Sequence, residues 1–299
     1  MRLNHIRDFV AVIQAGSLRA AARALNVSQP GISKSIRQLE AELGVQLLQR
    51  HGRGAVATSA GKTFLSRARV VQAELRKVIE DLEPFQGGSQ GRVAFGIAPQ
   101  LSMLMVPQAL QQFRQRYPHA RIRIVEGVAT ALLPAVRDET FDFAIGGSGP
   151  RPDPAIRFKP LLRLPLVVAA RLEHPLRNAT TLAELAEASW LMYYPLGTGG
   201  MLERAFAAHG LAMPRAIVQC ESYATALALI ANSDTLGLIT PRMLRTPLGP
   251  YRLQQIQIRE SIPAPLLGIY TRADAPLTAA AAAMAQALTV IARRLARDR

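Results

Sequence analysis

The chain has 299 residues, with 36 Lys and Arg against 21 Asp and Glu and a formal charge of +15. Apolar residues make up 49% and charged residues 19%, which excludes a mainly disordered chain; the length allows two or more domains, and the charge points to nucleic acid or an anionic membrane surface. A single cysteine, Cys220, rules out an internal disulfide and fits a reducing cytoplasm; no stretch reaches the roughly 20 apolar residues that span a bilayer, and no cationic start leads into an apolar signal segment.

The basic surplus is uneven: residues 1–69 carry 11 Lys and Arg but 3 Asp and Glu. There, Leu3, Ile6, Phe9, Val10 and Ile13 repeat at helical spacing up to Gly16. Ser17 caps a second helix with Leu18, Ala21, Ala22 and Leu25 inward, and after Asn26-Val27 Ser28 caps a third, with Pro30 in its first turn. Its inner face is Ile32, Ile36, Leu39 and Leu43. Short helices around a tight turn behind a supporting helix predict a helix-turn-helix.

At about 100° per residue, Pro30, Ser33, Lys34, Arg37 and Gln38 fall opposite the apolar stripe. These side chains, with Ser28 and Gln29 at the start, are rich in donors and free of Asp and Glu, as a major-groove face requires. A solvated face is the plain alternative; the regional charge favours DNA. Beyond Gly44, two short apolar runs flank Arg50-His51-Gly52-Arg53-Gly54. That pattern predicts a hairpin wing with Arg50 and Arg53 beside the DNA backbone.

Thr58-Ser59-Ala60-Gly61 opens a long helix in which Phe64, Ala68, Val71, Leu75, Val78, Leu82 and Phe85 alternate spacings of four and three. This a/d seam predicts a homodimer contact through Phe64, Ala68, Val71, Leu75, Val78 and Leu82; packing within one chain is the other reading. Gly87-Gly88-Ser89-Gln90-Gly91 then predicts a linker.

The stretches GSLRAAARALNVSQPGISKSIRQLEAELGVQLLQR and TSAGKTFLSRAR resemble the DNA-binding domain of LysR-type transcriptional regulators. One departure is His51, between Arg50 and the basic turn. The resemblance implies a regulator that binds a pseudo-palindromic double-stranded operator, usually as a dimer of dimers, with RNA polymerase open to it as a further partner.

Farther on, strand-like runs (Val93–Ile97, Ile122–Val125, Phe141–Ile145, Pro165–Ala169, Trp190–Tyr193, Ile217–Cys220, Leu236–Ile239, Pro265–Tyr270) alternate with helical stretches, which predicts α/β layers. The resemblance further implies two lobes similar to periplasmic solute-binding proteins, with crossovers near Leu162–Pro165 and Ser261–Leu266. The expected division is 1–58, winged helix-turn-helix; 59–91, linker helix and hinge; 92–299, regulatory domain, with lobe I at 92–162 and 267–299 and lobe II at 163–266.

In open α/β sheets ligands sit beyond the strand carboxyl ends, at helix starts. Those positions give Gln100, Leu101, Ser102, Gly127, Val128 and Gly147 in one lobe, and Tyr194, Thr198, Gly199, Gly200, Ser222 and Pro241 in the other. Tyr193, at the end of a strand, reads either as an aromatic wall of this cleft or as a core residue. As a set, given the family, they predict a cleft for a small anionic effector; any one of them alone reads as an ordinary cap.

No enzyme signature stands out: GTGG lacks the Lys-Ser/Thr of a phosphate loop, GGSGP lacks the last glycine of a nucleophile elbow, and the five histidines show no metal-like spacing with Cys220. The expectation is a cytoplasmic non-enzyme regulator without cofactor or metal. The alternative is an effector-independent architectural DNA-binding protein.

Overall fold

A computed structural model describes residues 1–51, 54–82, 91–148, 153–193, 196–197, 199–245 and 251–297. They form two compact units, residues 1–88 with 137–141, and residues 89–136 with 142–299.

In the first unit, α1 (Leu3–Ala15) ends where Gly16 turns left-handed (φ 71°). Ser17 caps α2 (Leu18–Ala24) by accepting from the Ala20 amide, and Ser28 caps α3 (Gln29–Leu43) by accepting from Gly31. Apolar spacing then closes the core: Ile6, Phe9, Val10, Ala21, Ala22, Ile32, Ile36 and Leu39 are buried together. Leu43 departs from the expected inner face and is exposed, because α3 overruns its support by a turn before Gly44.

Strands β1 (Leu48–His51) and β2 (Gly54–Ala57) pair antiparallel, Leu48 opposite Ala57 and His51 opposite Gly54. Thr58 then starts α4 (Ser59–Leu82): its hydroxyl accepts from the Gly61 amide and donates to the Gln46 carbonyl. A Cβ at Gly61 would collide with the Leu47 carbonyl, so glycine is needed where helix and wing touch. Segment 137–141 belongs to this unit: Asp138 pairs with Arg69, and Glu139 with Lys77 at 2.7 Å.

The second unit holds two five-stranded sheets among the described residues. The first is built from β3 (Arg92–Ile97), β4 (Arg121–Glu126), β5 (Phe143–Gly147), β6 (Ile156–Arg163) and β12 (Leu266–Arg272), in the order β4-β3-β5-β12-β6. Strands β3, β4 and β5 run parallel, and β12 enters antiparallel between β5 and β6. Helices α5 (Pro99–Arg116) and α10 (Ala279–Arg297) bury Leu101, Met105, Phe113, Met284, Leu288 and Ile291 in this lobe's core, while α6 (Ala129–Arg137) follows β4.

The other sheet comprises β7 (Val167–Arg171), β8 (Ser189–Met192), β9 (Ile217–Gln219), β10 (Thr235–Ile239) and β11 (Leu253–Ile256), in the order β11-β7-β10-β8-β9. Trp190 is fully buried, edge-on to Phe206 of α7 (Met201–Ala208), and its indole N–H donates to the Leu185 carbonyl at 2.8 Å. Helix α8 (Tyr223–Asn232) covers the opposite face with Tyr223, Ala226, Leu227 and Ile230. Short α9 (Pro241–Arg245) leads on towards β11.

Two strands are additions to the sequence-based expectation. β6 carries Pro160, which breaks a strand signal, yet it is the sheet's edge, where proline is tolerated, and its ladder with β12 shifts register between Leu267 and Gly268. β11, reading Leu-Gln-Gln-Ile, alternates too weakly to stand out and is also an edge.

Candidate nucleic-acid interface and candidate effector cleft

α3 is seated by Ile32, Ile36 and Leu39, each no more than 1% exposed, so its outward face is fixed. Ser28, Gln29, Pro30, Lys34, Arg37 and Gln38 are exposed on it, and Ser33 is half-buried. The Arg37 Nε donates to the Ser33 carbonyl one turn back (3.3 Å). The Arg50 backbone lies in β1; Arg53 falls outside the described residues.

The residue that sequence reasoning passed over is Glu40. Its Oε1 accepts from the Leu47 and Leu48 amides, at 2.8 and 3.1 Å, and so ties α3 to the wing. A glutamate acting seven and eight residues along the chain leaves no local pattern to read.

The seam of α4 divides. Ala68 is buried and Phe64 packs edge-on to Phe9 (centroids 5.3 Å apart), so both serve this unit's own core. Val71 (38%), Leu75 (41%), Val78 (57%) and Leu82 (53%) are exposed, and so is Ile79 (65%). Phe85 lies outside the described residues.

In the second unit a cavity of about 170 Å³ opens at the carboxyl ends of strands from both sheets. Gln100, Leu101, Val128, Gly147 and Gly199, from the predicted set, line it. Ser102, Gly127, Gly200, Ser222 and Pro241 do not, and Tyr194 and Thr198 are outside the described residues. Ser222 is the cap of α8, its hydroxyl accepting from the Thr225 amide at 3.3 Å. Most of the remaining wall is apolar: Leu164, Leu166, Leu191, Met192, Met201, Leu202, Leu238, Pro265 and Leu267.

Tyr193 and Tyr223 also line the cavity, their rings 5.5 Å apart and tilted by 31°. Neither buried hydroxyl has a protein partner, nor does the Gln100 Oε1. Burial pushes both phenols well above the ordinary tyrosine range; Tyr223 and Cys220 add to this at Tyr193, and Glu126 at Tyr223. Both hydroxyls therefore keep their protons and stand as donors. Tyr223, the first residue inside α8, is missed because the sequence-based set takes only the preceding cap, Ser222, from this helix start.

The expected anion site at the start of α7 is already filled. The Glu203 carboxylate accepts from the Gly197 and Gly200 amides, at 2.5 and 2.7 Å, and occupies the positive end of the helix. Arg204 lines the cavity but is exposed, and its Nε donates to the Gly199 carbonyl at 2.8 Å. Among the described residues no group of three or more His, Cys, Asp or Glu is placed to hold a metal, and no helix is long and apolar enough to cross a membrane.

A helix-turn-helix with a wing, a long helix with an exposed apolar flank, and two α/β sheets around a cavity define a ligand-responsive DNA-binding regulator. The chain belongs to the LysR family of bacterial transcriptional regulators: residues 3–62 match the lysR-family regulatory helix-turn-helix, and residues 86–290 match the LysR substrate binding domain. It is 27% identical over 264 residues to the HTH-type transcriptional regulator TdcA of Escherichia coli strain K12 (88% of this chain, 84% of TdcA). To the SDS degradation transcriptional activation protein of Pseudomonas sp. strain ATCC 19151 it is 30% identical over 296 residues, covering 94% of each. The crystal structure of full-length CbnR complexed with its target DNA superimposes with a TM-score of 0.67 at 21% identity, over 97% of this chain and 100% of CbnR.

Proposed function

We propose that this LysR-type regulator reads a pseudo-palindromic operator with the exposed face of α3, and that a small molecule in the cavity between its two sheets alters that binding. The observation that carries the reading is the acid-free, donor-rich row Gln29, Pro30, Lys34, Arg37 and Gln38, held outward by a fully buried stripe on the same helix. Such a row suits base edges and phosphates in a major groove. The exposed half of the α4 seam supports a homodimer, and a dimer of dimers extends it. The division into residues 1–58, 59–91 and 92–299 belongs to this reading, as do Arg50 and Arg53 at the wing, a cytoplasmic location, RNA polymerase as a partner and the lack of catalysis.

The test is footprinting of the full chain on sites selected from random duplex DNA, with and without compounds that raise its melting temperature. Two related half-sites, one or more helical turns apart, are expected, with a ligand-dependent change in their protection. Random protection overturns operator reading. An unchanged footprint with a bound compound leaves an effector-independent DNA-binding protein.

A further inference from the structure

The cavity wall is mostly apolar, but three polar atoms in it are unpaired, and they are of two kinds. Gln100, at the start of α5 in one lobe, donates its Nε2 to the Leu238 carbonyl of β10 in the other (3.3 Å). A carbonyl only accepts, so the amide orientation is set and Oε1 is left buried without a donor. Tyr193 and Tyr223 contribute two buried hydroxyls without partners, and Tyr223 is only 2% exposed. Thr130, Ser148 and Arg204 add polar groups to the wall, but its unsatisfied buried atoms are these two phenolic donors and this one amide acceptor.

Charge is provided differently. Among the described lining residues Arg204 is the one ionisable cation; it is exposed and its Nε is engaged by Gly199. Glu203 caps the nearby helix end. A carboxylate could accept from the two phenols, but it would have no proton for the Gln100 Oε1. An anion in this mostly apolar cavity would have one countercharge, the Arg204 guanidinium, and that charge is exposed and screened by solvent, so burial of an anion is disfavoured. As to size, 170 Å³ compares with the roughly 150 Å³ cavity that takes up benzene.

We propose that the effector is an uncharged molecule of single-ring size whose polar end is a hydroxyl or a carboxamide, donating to Gln100 Oε1 and accepting from the Tyr193 and Tyr223 hydroxyls. This rests on the reading of the cavity as the effector site. A ligand so placed engages the amide that already joins the two lobes, which links occupancy to their separation.

The experiment is a thermal melt of the full chain titrated with benzyl alcohol, benzamide and benzoate. The neutral probes should raise the melting temperature with an apparent Kd at least about tenfold below that of benzoate. Tyr223→Phe should melt at or above the parent without ligand, since an unpaired buried hydroxyl is removed, yet bind the better neutral probe about tenfold more weakly. Benzoate binding as tightly as the neutral probes, no shift with either neutral probe at millimolar concentration, or unchanged binding by Tyr223→Phe overturns the proposal. Gly147→Leu separates the two levels: Gly147 lines the cavity, and a Cβ there meets nothing closer than the Leu267 Cδ2 at 4.0 Å. If the neutral probes shift Gly147→Leu as they shift the parent, the cavity reading itself falls. If benzoate binds best and Gly147→Leu abolishes its shift, the cavity stands and the neutral assignment falls.

Discussion

Glu40 does with one carboxylate what a short loop cannot do alone. Removing it in Glu40→Ala leaves the Leu47 and Leu48 amides without their acceptor. The expected loss is about 1–3 kcal/mol in urea unfolding, with Glu40→Gln costing less because it keeps an amide oxygen. Arg37 works outward instead: Arg37→Ala should weaken operator binding by about 1–3 kcal/mol and relax specificity at one base position, read by competition between operator variants. Unchanged specificity would remove it from the reading face. The caps at Ser17 and Ser28 were legible because a cap acts within three residues. Glu203 was not, although it lies only three residues beyond Gly200, because a glycine stands where the Ser or Thr of a capping box would have marked the pattern. Gly199 lines the cavity with φ at 71°, a left-handed conformation that a side chain strains, so substituting it would disturb the loop as well as the site.

At the scale of elements, α4 is two helices in one. Its first turns complete the DNA-binding core, and its later turns present Val71, Leu75, Val78 and Leu82 to solvent. The heptad spacing announced an apolar seam but not where ownership of the seam changes, since that depends on how far α1 reaches along it. Leu75→Lys adds a charge to each copy of the exposed half. Sedimentation should show weakened self-association, and a full operator should lose affinity while α1 to α3 stay folded. Unchanged sedimentation with normal operator binding would assign the seam to packing within the chain. The strands with branched apolar residues were legible in the same way; β6 and β11 were not, because edge strands may hold the proline and glutamines that central strands exclude.

For the molecule as a whole, the buried phenols set an alkaline limit. Their folded pKa values lie above the value of about 10 expected in an unfolded chain. Below that pH both states are protonated and the difference costs nothing; as pH rises past it, only the unfolded chain can ionise, so stability falls. Of the six tyrosines, Tyr193 and Tyr223 should add phenolate absorbance only as the protein unfolds, and Tyr223→Phe should move the alkaline unfolding midpoint to higher pH. Early, reversible titration of every tyrosine would show that the two are not sealed from water.

The position of β12 has a consequence for synthesis. It lies between β5 and β6, although it is the last strand of the chain. The second lobe is one uninterrupted stretch, β7 to β11, and its strands are complete at Ile256. The first lobe must wait until residues 266–272 have left the ribosome before its two halves can be joined, and for α10 before its core is covered. During translation the lobe begun first is thus finished last. A chain cut short before residue 266 would keep a complete inserted lobe but hold the other as two unjoined pieces, with the edges of β5 and β6 open to pairing with other chains.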